Sequence, residues 1–498
     1  MEIELHKEQI QNYCRLFSQL VTREETIEAV VPDVMPDVQQ IMDTDAQVYL
    51  RGKETEEGRL SIHAFLEGTV LYLPEGENGL RRLTLSGNFS FSFDDPAIPR
   101  DCVTQLTLRC TAADARMLNP RKVLLRAEIT AEAAIYSPCT TEYASGAEGE
   151  GLQILQRKAT VAYIAAVEEK TFVIAEDFSL PGGVEAGEIL RSRVWAETED
   201  LRLVAGKLIV QGTVHMELLY CSEGAILPQI MSFSTSFSQI LDVHGEHSGP
   251  CAVELMPTAC YVEALGGAYG AVTVSMELHL VAQACCAGER ELEYLADAYS
   301  NHCPCRVHTA ELSFSAPGRR VSLRETVREM VECPEAVTEV LCCTVVPGRA
   351  AADEGKVKVP LNVRLLCRGE RGGIVSVNRR LWAECNCPPC EGSRLLAALP
   401  RCLEPYAAVA SGALELRIPV EVELQLDEAQ ELTAVADLVP DAETVVDTGE
   451  RPSVTVVKRG EADLWSLAKK YGSTLELIAA ANPNGGEDSL FLLIPRCR

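Results

Sequence analysis

Few residues of this chain have the type and spacing that chemistry asks for. "HGEH" sets His244 and His247 beside Glu246, a pattern that could hold a metal or move a proton. "CNCPPC" supplies Cys385, Cys387 and Cys390 with one C-x-x-C spacing, and "HCPC" adds His302, Cys303 and Cys305. Zinc asks for four tetrahedral ligands, commonly from two C-x-x-C-like pairs, and the second stretch has the wrong spacing for such a pair. "PDVMPD" carries Asp33 and Asp37, two carboxylates of the kind used in acid–base work. Proline fixes the backbone there and aspartate closes the turn, which accounts for both without catalysis. None of the eight histidines lies in H-E-x-x-H, and neither a P-loop nor G-x-S-x-G occurs. The expectation is a protein that is not an enzyme, with no metal and no cofactor.

The elements around these residues are legible from composition. The chain has 498 residues, 47% of them hydrophobic, which predicts several cores and, at roughly 100–200 residues each, several domains. Its formal charge is −28, a field that repels nucleic acid and anionic lipid. Residues 453–498 carry six basic and five acidic side chains, so this tail is +1 and residues 1–452 carry −29. "PDAETVVDTGERP" (440–452) reads as the linker between them. "MEIELHKEQIQNYC" has no apolar signal region and no window is long enough to span a bilayer. A cytoplasmic chain is expected, with its 20 cysteines as reduced thiols, many (Cys110, Cys221, Cys260, Cys342, Cys367) acting as small hydrophobes.

A long period organises the body. "GRLSIHAFLEGTVLYLP" starts at Gly58, "GKLIVQGTVHMELLYC" at Gly206 and "GKVKVPLNVRLLCR" at Gly355, spaced by 148 and 149 residues. Tyr72 and Tyr220 fall 14 residues after their glycines, and the third stretch is about two residues shorter and lacks the tyrosine. Turn-plus-strand stretches at Asn119, Gly266 and Ser411 keep nearly the same period, at 147 and 145 residues. Such a period is too long for a solenoid unit of about 20–50 residues and predicts tandem domains. "LELRIPVEVELQL" puts Leu414, Leu416, Ile418, Val420, Val422, Leu424 and Leu426 on one face, the alternation of a half-buried antiparallel strand. The fold expected is mainly β: three tandem, hairpin-built, sandwich-like domains (1–150, 151–305, 306–440), a linker (441–452) and a small βααβ tail (453–498). Helices are expected at 5–21 and 327–341.

In the tail, "DLWSLAKKYG" has helical spacing closed by Gly472, and "STLELIAAANP" begins with Ser473 or Thr474 as N-cap and Glu476 in its first turn. Short strands flank the pair. The segment resembles a LysM domain through Val457, Gly460, Leu464-Trp465, Leu467-Ala468, Tyr471, Ile478, Asn482 and Ile494-Pro495. The resemblance implies an independently folding module with Trp465 buried. It also implies a groove for N-acetylglucosamine glycans, such as peptidoglycan, between two loops. On this chain they comprise Gly460, Glu461, Ala462, Asp463, Leu464 and, opposite, Ala481, Asn482, Pro483, Asn484. The turn "GEADL" is one residue longer than the family's usual turn, and its acids favour a basic protein surface over a neutral glycan.

"EAVVPDVMPDVQQIMDTDAQVYL" (28–50), with the hairpin at Gly58, resembles the SPOCS domain of sporulating Firmicutes. "VIAEDFSLPGGVEAGEIL" (173–190) and "VSLRETVREMVE" (321–332) are its more diverged counterparts. SPOCS copies ahead of a LysM tail are similar to the spore-coat morphogenesis proteins of SipL type in clostridia. That resemblance implies a coat-assembly scaffold on the forespore surface, reached from the mother cell. Its partner would be the coat basal-layer ATPase of the stage IV sporulation protein A type. A glycan-binding wall protein is the rival reading.

Overall fold

The computed structural model describes residues 3–180, 186–222, 225–245, 248–266, 272–353, 355–387, 393–410, 412–441, 452–458, 463–483 and 491–497. The protein is mainly β. A first run of strands comprises β1 (Ile3–Val30), β2 (Val38–Glu56), β3 (Arg59–Pro74), β4 (Arg81–Asp94), β5 (Val103–Asn119) and β6 (Lys122–Gly149). A second comprises β7 (Leu152–Ser179), β8 (Ala186–Val204), β9 (Lys207–Ser222), β10 (Gln229–Asp242), β11 (Cys251–Gly266) and β12 (Val272–Ser300). The third has β13 (Cys305–Glu332), β14 (Val337–Pro347), β15 (Ala351–Asp353), β16 (Lys356–Gly369), β17 (Ile374–Asn386), β18 (Ser393–Cys402), β19 (Tyr406–Ala410) and β20 (Ala413–Pro440). β21 (Val454–Lys458), α1 (Leu464–Tyr471), α2 (Leu475–Ala481) and β22 (Phe491–Pro495) form the tail.

Each run opens and closes on a long strand, and these pair antiparallel as ribbons: β1 with β6, β7 with β12, β13 with β20. Smaller sheets (β2-β3-β4, β8-β9-β10, and β14-β16-β15 with β17 on β16) make the other layer. Alternation drives this packing. In the third run Leu414, Leu416, Ile418, Val420, Val422 and Leu424 face Val357, Val359, Leu361, Val363 and Leu365 in one core. The ribbons also pack on each other, where Ile10 and Tyr143, Tyr163 and Tyr294, and Leu312 and Phe314 close over a shared core.

The three hairpin glycines occupy one conformation. Gly58, Gly206 and Gly355 have φ of 77°, 77° and 79° and begin the middle strand of their sheets. A side chain there would be strained, which explains a glycine at each. Tyr72 lies opposite Ile41 and Arg81, and Tyr220 opposite Ile189 and Gln229, 148 residues on in every case. Both rings are buried, and Cys367 ends the same triplet of buried residues on β16.

Two expectations are corrected. Residues 5–21 and 327–341 are not helical. The first lies within β1, paired with β6 along its length, and the second spans the end of β13 and the start of β14. In β1 the register slips between His6 and Lys7 and between Arg15 and Phe17. At the first the extra residue is Ser145 of β6; at the second it is Leu16 of β1, which moves the following β1 side chains to the other face, so the apolar spacing loses its period of two. The thiols are not all reduced either. Cys14–Cys139 and Cys251–Cys286 form disulfides between neighbouring strands, the first diagonal (Cys14 lies opposite Ser137, and Cys139 opposite Asn12) and the second across directly opposed residues, with Cα atoms 6.0 and 4.1 Å apart. Strand register, which composition does not carry, sets Cys251 directly opposite Cys286. Burial pushes the Cys110, Cys260 and Cys367 thiols up to about 12, as suits core hydrophobes. Among the described residues no helix is long and apolar enough to cross a membrane.

Candidate functional site

The tail folds as the helix signals dictate. Asp463 caps α1, its carboxylate accepting from Ser466 N–H at 2.7 Å, and Gly472 closes it in the left-handed region at φ 63°. Thr474 caps α2 through Leu477 N–H at 3.1 Å. Leu467, Ala468, Ile478, Leu492 and Ile494 are buried between the helices and the β21–β22 pair.

This small core is completed by the body. Tyr299 of β12 packs edge-on against Trp465 with ring centroids 4.9 Å apart, and Leu155 of β7 joins the cluster. Asp297 accepts from Trp465 Nε1 at 2.8 Å and from Lys469 Nζ at 2.6 Å. Tyr299 O–H donates to the Ser473 carbonyl at 2.8 Å, and Asn301 Nδ2 donates to it at 3.3 Å. Burial works against the Asp297 charge, but the bonds from Lys469 and Trp465 outweigh it and hold the carboxyl below its ordinary range. The end of the second ribbon is thus a dock for the α1 face of the tail.

The groove residues named from sequence divide three ways. Gly460, Glu461, Ala462 and Asn484 lie outside the described residues. Leu464 and Pro483 are exposed, and Ala481 is half-buried. Asp463 and Asn482 are occupied with structure. Asn482 Nδ2 donates to the Ile478 and Leu493 carbonyls at 2.7 and 2.6 Å, and its Oδ1 accepts from Leu493 N–H at 2.9 Å, tying α2 to β22. Bonding to backbone N–H lowers the Asp463 carboxyl pKa, as befits a cap. Charge reversal at Asp463 would therefore remove the α1 cap as well as change the surface. Asp463→Ala should shorten α1 and modestly lower the tail's unfolding midpoint, with the body unaffected; unchanged amide exchange in 464–471 would refute this role.

The other chemical candidates separate in space or are spent on structure. Cys385 is buried in the third-run core near Glu325, whereas Cys305 begins β13 near Asp297 and Lys469. The twenty strand residues between Cys305 and Glu325 span on the order of 60 Å, so Cys305 and Cys385 do not meet. Cys390 lies outside the described residues. His244 is an exposed partner of Glu168 at 2.8 Å, and Glu246 and His247 are outside the description. Arg121 threads the "PDVMPD" turn, donating to Asp37 at 2.9 Å, Asp33 at 3.2 Å and the Met35 and Val31 carbonyls at 2.8 and 2.9 Å. Among the described residues no group of three or more His, Cys, Asp or Glu could hold a metal ion.

Sequence reasoning missed a buried polar hub where the three smaller sheets meet. Asp43, Arg191 and Cys342 lie opposite Leu71, Leu219 and Leu366, leucines that pack in one cluster. Arg191 is 2% exposed and pairs with Asp43, while donating to Thr344 Oγ1 at 2.9 Å and Cys342 Sγ at 3.2 Å. Glu217 lies 3.5 Å from it, and Arg193 pairs with Asp45 at 3.3 Å. The signal was available: Asp43 and Arg191 are separated by the glycine period of 148.

Fold and site together define a β-rich body with a docked, LysM-like βααβ tail. Residues 185–264, from the start of β8 into β11, match the family model described as SipL, SPOCS domain. No curated protein matches the chain.

Proposed function

We propose that this protein is a non-catalytic scaffold of the spore envelope, built from three tandem SPOCS-like domains and a LysM-like tail. The observation that carries this reading is the SPOCS match on β8–β11, because the same order of long strand, small sheet and returning strand precedes and follows it. The domains run 1–150, 151–305 and 306–440, with the linker at 441–452. The scaffold works on the forespore surface, on the mother-cell side. Its tail docks on the coat basal-layer ATPase rather than on peptidoglycan. Two of the residues that would line a sugar groove, Asp463 and Asn482, already have backbone partners, which supports a protein partner over a glycan.

The test uses the full chain. Calorimetry should detect binding of the purified basal-layer ATPase, weakened and made less salt-sensitive by Glu461→Lys, with no heat from N-acetylglucosamine oligomers. Micromolar sugar binding with no ATPase binding would replace the scaffold by a wall-binding protein.

A further inference from the structure

Among the described residues the small sheet of the second run ends in β10, an edge strand with little of the usual protection beyond Lys170 at its C-terminal end. β10 pairs with β9 from Gln229 to Asp242 without a register shift. Residues 229–241 contain no charge and no proline in a chain of −28. Proteins normally blunt a free edge with charges, prolines or bulges. The opposite edge of this sheet shows such protection: β8 is bulged at three places and carries Arg193, Trp195 and Glu197. In the third run the corresponding strand β17 sets Arg380, Trp382 and Glu384 outward. On β4 the uncharged centre is bracketed by Arg82, which donates to the Ile189 carbonyl at 3.4 Å, and by Asp94, paired with Arg59 at 3.1 Å.

Backbone parity on β10 is fixed by two bonds. Val243 N–H donates to the Gly206 carbonyl at 2.8 Å, so odd-numbered residues face β9. Lys170 Nζ donates to the Ile240 carbonyl at 2.7 Å, which shows an even-numbered group pointing away from β9. Ile230, Ser232, Ser234, Ser236, Ser238 and Ile240 therefore present N–H and C=O to the open edge. All six side chains are exposed, Ile230 by 41% and Ile240 by 47%.

This row is its own complement. An antiparallel second strand centred on Thr235 sets Ser234 against Ser236 and Ser232 against Ser238, each pair exchanging two backbone bonds, and brings Ile230 alongside Ile240, whose carbonyl Lys170 already meets. Two-fold symmetry then repeats every pair. Two chains of −28 repel over most of their surface, and this strip lets them meet without like charges opposed. We propose that β10 is a self-association edge, at which a second copy of this chain adds antiparallel to make one continuous six-stranded sheet.

Sedimentation velocity of the full chain over a wide concentration range tests this. A reversible monomer–dimer equilibrium is expected. Ser234→Lys with Ser236→Lys sets lysines opposite one another across the two-fold and should raise the dissociation constant at least about tenfold, with circular dichroism unchanged. Amide exchange in 230–240 of the unmodified protein should slow as concentration rises. A protein monomeric throughout, or a dimer that the paired lysines leave intact, would overturn the proposal.

Discussion

Arg191→Ala is expected to be the most damaging single substitution in the body, costing about 3–5 kcal/mol. The guanidinium is buried where three sheets converge. Burial works against its charge, yet Asp43, followed by Cys342, Asp45 and Glu217, raises its pKa, so it stays charged. Removing it takes from Asp43, 5% exposed, its closest charged partner, leaving the Thr44 N–H at 2.9 Å and the more distant Arg364 guanidinium at 3.8 Å. A buried carboxylate without its partner carries most of that cost. The pair Asp43→Leu with Arg191→Met should recover part of the loss, because apolar groups of similar volume remove that pair's desolvation penalty while Glu217 and Arg364 stay. Denaturant unfolding of the single and double variants gives the coupling between them. A loss below about 1 kcal/mol for Arg191→Ala, or a double variant as damaged as the single, would show that the ion pair does not hold the hub.

The hub explains why three similar runs of strands settle into one arrangement. At one register position the runs place an acid, a base and a thiol, and two residues further along Asp45, Arg193 and Thr344 follow. An identical residue at all three would set like charges or unpaired polar groups face to face. Unlike residues fit only in one order, so specificity comes from the mismatch as much as from the attraction.

Period and alternation made the ribbons and small sheets legible. The glycines at 58, 206 and 355 need a left-handed turn, and no other residue type supplies it as cheaply. Helix caps in the tail were legible for the same local reason, since Gly472 and Thr474 act on backbone groups within a few residues. Three features were not. The bulge in β1 scrambles a period that depends on one face being kept. The disulfides depend on register between strands 125 and 35 residues apart. The tail's charge and spacing are local properties, whereas its dock is made by Asp297 and Tyr299, far away in sequence and unremarkable where they stand. A cap such as Asp463 also reads in sequence as a free acid beside a groove, because the bond that occupies it leads to its own helix.

The tail supplies the second large effect. Trp465→Ala should cost about 3–5 kcal/mol, the range for truncating a buried aromatic. Trp465 is 9% exposed, and a module with two helices of eight and seven residues has little other apolar area to lose. The same change removes the ring that Tyr299 packs against and one of the two side-chain donors to Asp297. Folding and docking of the tail should therefore fail together. Acid should do in part what the substitution does outright. Asp297 has a depressed carboxyl pKa in the docked state. Its contribution is present above the ordinary aspartate value of about 3.9 and is lost as pH falls through the lower, docked value. Asp297→Asn should abolish that acid-dependent step while keeping the Tyr299–Trp465 contact. Hydrogen exchange across 464–481 of the full chain reads both effects. Protection should vanish in Trp465→Ala at neutral pH and weaken in the unmodified protein on acidification. Retained protection in Trp465→Ala would mean that Leu467, Ile478, Leu492 and Ile494 hold the module without the body's help, and that the dock on β12 is incidental to its fold.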